Sequence, residues 1–326
     1  METILIVGFG SIGKRYYENI LQMRKFQIIV CSKRNDLQKK NMIVVKTILE
    51  ALKYKPKIAF ITNETSFHVD AALLLAKNGV HLFIEKPLSN SLKNITKLKK
   101  IVDKKKLITQ IGCDHRFHPC IKKIKEFVDK KTLGRIISVS VESSSYLPDW
   151  HPYEDYKIGY AARDDLGGGI TLTMIHELDF LRWFFGNVRK IFAVVGKFSE
   201  LEVKTDDLSM MTLIFNQNIV AQLSLDYFQR PEFKSCKIKG VKGMLYWDSK
   251  LNEVKIFQKN QKKWTIVLKV RNFKRNSMFV DEINYFLRKV QDKKRTFNDL
   301  DEGIKTLQVA LSAKKSSNVK KLVNLG

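Results

Sequence analysis

Residues Ile4 to Gly13 read ILIVGFGSIG, and this stretch decides the fold. Ile4 to Val7 is a short apolar run of the kind that forms a buried parallel strand, and Gly8, Gly10 and Gly13 follow at G-x-G-x-x-G spacing before a helical pattern. Each glycine has a physical task. Gly8 permits the tight turn off the strand, Gly10 leaves room for a pyrophosphate to approach the backbone, and Gly13 lets the next helix pack close to the sheet. The helix start, with Ser11 and Ile12, offers unpaired N–H groups and a partial positive charge to phosphates. The stretch therefore predicts a dinucleotide grip.

Working outward, apolar strands and amphipathic helices alternate. Strands are expected at Phe26–Cys31, Met42–Val45, Ile58–Thr62, His81–Ile84 and Leu107–Gly112, with helices at 14–24, 47–53, 66–78 and 91–105 between them. This alternation specifies an α/β fold with an N-terminal Rossmann doubly wound parallel sheet. The second strand ends in Ser32, Lys33 and Arg34. An acid at that point would bind the adenosine ribose hydroxyls of NAD, whereas a small hydroxyl followed by basic residues suits a 2′-phosphate, so NADP is favoured over NAD. Thr62 and Asn63 close the fourth strand at the edge where such sheets bind ligands. His68, in the first turn of the following helix, is a candidate cofactor contact, with a capping or packed histidine as the alternative.

The fifth strand terminates in Glu85-Lys86-Pro87. Proline here removes an N–H and stops the strand, leaving Lys86 at the ligand edge. A Glu-Lys-Pro strand end downstream of the glycine grip and of Thr-Asn with a nearby His resembles the glucose–fructose oxidoreductase, inositol dehydrogenase and rhizopine-catabolism (GFO/IDH/MocA) family. The resemblance covers essentially the whole chain. It implies that Glu85 and Lys86 border the nicotinamide and that Lys86 serves catalysis. The family commonly carries Arg-Phe followed shortly by Pro at the crossing to a second domain, here Arg116-Phe117 and Pro119. Domains of 1–115 and 116–326 follow, with Arg116 expected to line the cofactor or substrate cleft between them. His115 and His118 stay unassigned.

The second domain opens with a helix expected at 119–129 and an alternating strand at 135–142. The stretch 146–163, YLPDWHPYEDYKIGYAAR, is rich in aromatic and acidic groups. Rings stack on the apolar face of a sugar and carboxylates bind its hydroxyls, so Trp150, Tyr156 and Arg163 are candidate substrate contacts. A loop between subunits is the competing reading. Here the chain is similar to family members of bacterial surface-polysaccharide and sugar-acid pathways. Ile170 to Phe185 reads as one buried helix bearing His176, and the resemblance implies that this histidine works with Lys86. The acid the family usually carries one helical turn earlier is missing. Leu172 and Thr173 stand there, so the helper is absent or replaced by the Thr173 hydroxyl, a further substrate candidate. Glu177 and Asp179 point to other helical faces. Seven strand-like segments from Val188 to Val270 predict a large, mostly antiparallel open sheet, so the second domain is α+β, and two helices close the chain. In the family such a sheet meets a partner subunit, implying a homodimer or homotetramer.

The 326 residues carry a formal net charge of +26, which raises nucleic acid or an anionic membrane as partners. The lysines are spread over helix-like segments with few interleaved aromatics and no nucleic-acid module, so neither partner is expected. No apolar run approaches the ~18 residues of a membrane span, and a cytoplasmic protein is the expectation. The four cysteines lack C-x-x-C spacing, and no histidine cluster suggests a metal. The function expected is reversible hydride transfer between a nicotinamide and a secondary hydroxyl or ketone of a sugar, sugar acid or nucleotide sugar. The alternative is a dinucleotide-binding regulatory protein of the same fold with weak or no catalysis, motivated by the missing acid.

Overall fold

Strands buried on both faces need continuous apolar sequence, whereas a sheet with one open face needs alternation, and the chain contains both kinds. This computed structural model describes residues 2–37 and 42–325. The chain divides into two units, Met1–Asp114 with Arg275–Ile304, and His115–Lys274 with Lys305–Gly326.

The first unit runs β1 (Glu2–Val7), α1 (Ser11–Gln22), β2 (Phe26–Cys31), β3 (Ile43–Val45), α2 (Ile48–Leu52), β4 (Ile58–Ile61), α3 (His68–Lys77), β5 (His81–Glu85), α4 (Ile95–Lys105) and β6 (Thr109–Gly112). All its strand pairings are parallel, in the order β3-β2-β1-β4-β5-β6. The order reverses between β1 and β4, the point at which open α/β sheets bind ligands beyond their carboxyl ends. The expected strands and helices are present with small shifts. A helix from Ser91 was expected, but α4 starts at Ile95, because Asn94 takes the left-handed conformation (φ 63°) in a turn rich in Asn and Ser.

The second unit begins with α5 (Pro119–Asp129) and β7 (Ile136–Ser144), then α6 (Ile170–Thr173) and α7 (His176–Phe185). Six strands follow: β8 (Val188–Gly196), β9 (Leu208–Phe215), β10 (Val220–Asp226), β11 (Phe233–Gly240), β12 (Gly243–Asp248) and β13 (Glu253–Gln258), with β14 (Thr265–Lys269) beyond them. Helix α8 (Asn276–Gln291) returns to the first unit, the division falls inside α9 (Leu300–Val319), and β15 (Val323–Asn324) ends the second. The nine-stranded sheet runs β14-β13-β12-β11-β7-β10-β9-β8-β15, antiparallel throughout except for β7 beside β10. Helix α5 packs on β13 and β14, and α6 on β9 and β10. Phe192, Val194 and Met210 alternate with the buried residues of β8 and β9 and stay exposed on the sheet.

Two differences from the sequence reading matter. The single helix expected over 170–185 is broken: Met174 (φ −95°, ψ 37°) ends α6, and α7 starts afresh at His176. The Thr173 hydroxyl donates to Gly169 O at 2.8 Å, a back-bond of the kind that bends helices. Second, the region after 115 is not one contiguous unit. Phe279, Ile283 and Phe286 of α8 complete the core around Ile4, Tyr16, Phe60 and Phe83, and Phe60 stacks on Phe83 at 4.8 Å. Among the described residues no helix is long and apolar enough to cross a membrane.

Candidate active site

In the first unit the site residues stand on the loops that leave the carboxyl ends of β1, β2, β4 and β5. Gly8 has φ +90°, and a Cβ there would lie 2.5 Å from Asn63 N, so the glycine turn rests directly on the loop after β4. Thr62 fastens this contact: its N–H donates to Val7 O at 2.8 Å, and its hydroxyl lies 3.0 Å from both Val7 O and Gly8 O. A Cβ on Gly13 would come within 2.4 Å of Gly8 O. Gly10 differs, since a Cβ there meets no described atom within 4 Å. The fold does not need glycine at this position, whereas a pyrophosphate lying against the backbone would. Gly10 is also the N-cap of α1 and brings no side chain to cap it, nor does the first turn carry an acid. The N-terminus of α1 thus carries its dipole with no side-chain cap and no acid against it, and the arrangement fits a dinucleotide phosphate.

At the end of β2, Ser32 Oγ accepts from Arg34 N at 3.3 Å. The Arg34 guanidinium pairs with Asp36 through Nε at 3.0 Å and Nη2 at 2.5 Å, which holds that carboxyl below its usual range. Lys46, which the motif did not reveal, donates to Arg34 O at 2.9 Å and Asn35 Oδ1 at 2.6 Å.

The Lys86 turn follows β5. Glu85 is buried, and Tyr16 OH donates to its Oε2 at 2.9 Å. Burial pushes the Glu85 carboxyl up to about 7, against the opposing charge of Lys86. Lys86 itself is half-buried. His68 is buried rather than exposed to a ligand: its Nε2 lies 2.8 Å from Asn63 O and its Nδ1 2.9 Å from Pro87 O.

In the second unit His176 is the first residue of α7 and 7% exposed. His115 stacks on it, ring centroids 4.2 Å apart and planes 20° apart. Glu177 Oε1 lies 3.9 Å from His115 Nδ1 and 4.0 Å from Lys234 Nζ. Glu177, which follows His176 in sequence, thus lies near both His115 and Lys234. Thr173 is engaged locally, accepting from Tyr227 OH at 2.8 Å while donating to Gly169. Trp150 donates to Ser145 Oγ at 2.8 Å and meets Tyr227 edge-on at 5.4 Å, so Tyr227 joins two of the candidate substrate residues. No sequence signal marked it. Tyr156 accepts from Glu202 N, and Arg163 pairs with Asp165; neither contact brings them to Trp150 or Thr173.

Arg116 is 1% exposed, with Nε and Nη2 bidentate to Asp179 at 2.7 and 2.9 Å and its guanidinium over Trp183. This gives it a structural role in the second unit that the Arg-Phe motif did not announce. His118 caps α5 by accepting from Cys120 N at 3.1 Å. Burial lowers its pKa to about 4, so the ring is a neutral acceptor.

Residues 3–113 match the model of an oxidoreductase family with an NAD-binding Rossmann fold, and residues 121–246 match the GFO/IDH/MocA C-terminal domain. The chain belongs to the GFO/IDH/MocA oxidoreductase family. It is 24% identical to myo-inositol 2-dehydrogenase of Thermotoga maritima over 98% of this chain and 97% of that one. It is 27% identical to the rhizopine catabolism protein MocA of Rhizobium meliloti over 39% and 37%. Its fold matches a levoglucosan dehydrogenase solved with NADH at a TM-score of 0.90, with 14% identity over 100% of this chain and 99% of that one. As a GFO/IDH/MocA protein the chain is an NAD-binding oxidoreductase.

Proposed function

We propose that this GFO/IDH/MocA protein interconverts a secondary hydroxyl and a ketone on a sugar, sugar acid or nucleotide sugar. The observation that carries the reading is a shared edge: the glycine grip after β1 and Lys86 after β5 stand at the carboxyl ends of strands in one parallel sheet, with β4 between them. When bound, the dinucleotide supplies hydride acceptance and donation at C4 of its nicotinamide ring. Lys86 hydrogen-bonds the reacting oxygen and stabilises the negative charge that develops on it. His176 takes the hydroxyl proton during oxidation and returns it during reduction. The sugar dehydrogenases among the relatives support this substrate class.

Gly8, Gly10, Ser11, Ile12 and Gly13 hold the pyrophosphate in this reading, and Thr62, Asn63, Glu85 and Lys86 border the nicotinamide half. The reading takes NADP in preference to NAD, supported by Ser32, Lys33, Arg34 and Lys46 and opposed by the hold of Asp36 on Arg34. Trp150 and Thr173, linked through Tyr227, are the stronger candidates for sugar contacts, with Tyr156 and Arg163 the weaker. The exposed apolar residues of β8 and β9 support a homodimer or homotetramer formed through that sheet. The four buried free cysteines support a cytoplasmic location.

The test is turnover of a panel including myo-inositol and D-xylose with each dinucleotide. Lys86→Ala and His176→Ala should each lower kcat roughly 10²- to 10⁴-fold while leaving dinucleotide binding intact. Turnover equal to the parent in both folded variants overturns the assignment.

A further inference from the structure

The ring of His68 has a carbonyl oxygen against each nitrogen, Asn63 O at Nε2 and Pro87 O at Nδ1. It is 1% exposed, so water does not mediate either contact. Carbonyls only accept, and a neutral imidazole has one N–H, whereas the imidazolium has two. Burial pulls the pKa of the ring down, and both carbonyls and Glu64 pull it back up, with Lys86 acting alongside burial. Only the imidazolium donates to both carbonyls at once, whereas the neutral ring donates to one and packs against the other.

These carbonyls belong to the two loops that matter. Asn63 is the residue on which the Gly8 turn rests, and Pro87 follows Lys86. A continuous set of contacts therefore runs from Gly8 to Asn63, across the His68 ring, to the Lys86–Pro87 turn. The loops after β4 and β5 share no strand ladder beyond Ile61 and Ile84, so beyond that register the imidazole bridges them.

We propose that His68 is a positioning residue: it sets Lys86 in register with the dinucleotide grip without touching the cofactor. The proposal deepens the sugar dehydrogenase reading and rests on it for the catalytic role of Lys86. A shift of about 1 Å in a catalytic group costs on the order of 10²-fold in rate, and such a shift is what an unbridged Pro87 carbonyl permits.

The experiment uses the full chain with His68→Ala and His68→Gln. Three quantities are read: NADH and NADPH affinity by fluorescence, kcat and KM with myo-inositol and D-xylose, and hydrogen exchange of segments 61–64 and 85–90. The alanine variant should lose on the order of 10²-fold in kcat with KM values changed by less than about threefold, and exchange should rise in both segments. Glutamine, which can donate to one carbonyl, should recover part of the lost kcat. Folded alanine variant with parental kcat, or exchange that rises in one segment alone, overturns the proposal. If the parent turns over no compound of the panel but exchange rises in both segments, the bridge stands and the sugar reading fails. If neither variant folds, ¹⁵N signals of the parent ring decide: two hydrogen-bonded nitrogens support the bridge, and one free nitrogen refutes it.

Discussion

Replacing Glu85 with glutamine should remove a pH-dependent weakness from the first unit. The native carboxyl is buried beneath the Tyr16 hydroxyl and keeps its proton up to about pH 7, against an ordinary value of 4.5. Between those values the folded chain binds a proton that the unfolded chain has released, so stability falls as pH rises from 4.5 to 7 and levels off above. At 1.36 kcal/mol per pH unit the interval corresponds to about 3 kcal/mol. Glu85→Gln keeps an oxygen to accept from Tyr16 and has no charge to bury, so this loss should vanish. Hydrogen exchange of β1 and β5 amides, corrected for the intrinsic pH dependence of exchange, reads the opening free energy of this unit without assuming that the whole chain unfolds in one step. The parent should lose about 3 kcal/mol more than the variant over this range, and above neutrality the variant should be the more stable protein. Parallel curves for the two proteins would refute the reasoning, since they would mean that Glu85 ionises alike in both states.

The glycine grip and the ribose end of the site yield two further outcomes. Gly10→Ala should leave stability within about 0.5 kcal/mol and weaken dinucleotide binding at least tenfold, while Gly13→Ala, whose new methyl meets Gly8 O, should damage the fold itself; thermal unfolding and fluorescence titration separate them. Asp36→Asn removes the carboxylate charge that pairs with Arg34, so affinity for NADPH should rise relative to NADH, and an unchanged ratio in parallel titrations would remove the argument from the 2′-phosphate.

Much of the first unit was legible because its signals are local. The run Ile4–Val7, the glycine spacing and the proline after Lys86 each act within a few residues, and the structure assembles them as those residues imply. The break at Met174 was hidden, since ITLTMIHELDFLRWFF contains neither Gly nor Pro; it is supported by the bonds of Thr173 to Gly169 and Tyr227. The destination of α8 was equally hidden. Its apolar stripe at Phe279, Ile283 and Phe286 announces burial but not against which sheet. The partners of Glu85, Arg116 and His68 lie 69, 63 and 19 residues away, and pairings at such separations leave no periodic trace. For that reason the sequence offered candidate side chains for the site but not what holds them.

The central claim, hydride transfer from a sugar carbon to a nicotinamide, is tested most directly with isotope. Sugars deuterated at each ring carbinol carbon are incubated with the protein and NADP or NAD, and the reduced dinucleotide is examined by NMR. Deuterium should appear at C4 of the nicotinamide from one labelled position, and should be lost in the Lys86→Ala and His176→Ala proteins. Bound dinucleotide that is never reduced by any sugar in the panel, or reduced without the label, would contradict it.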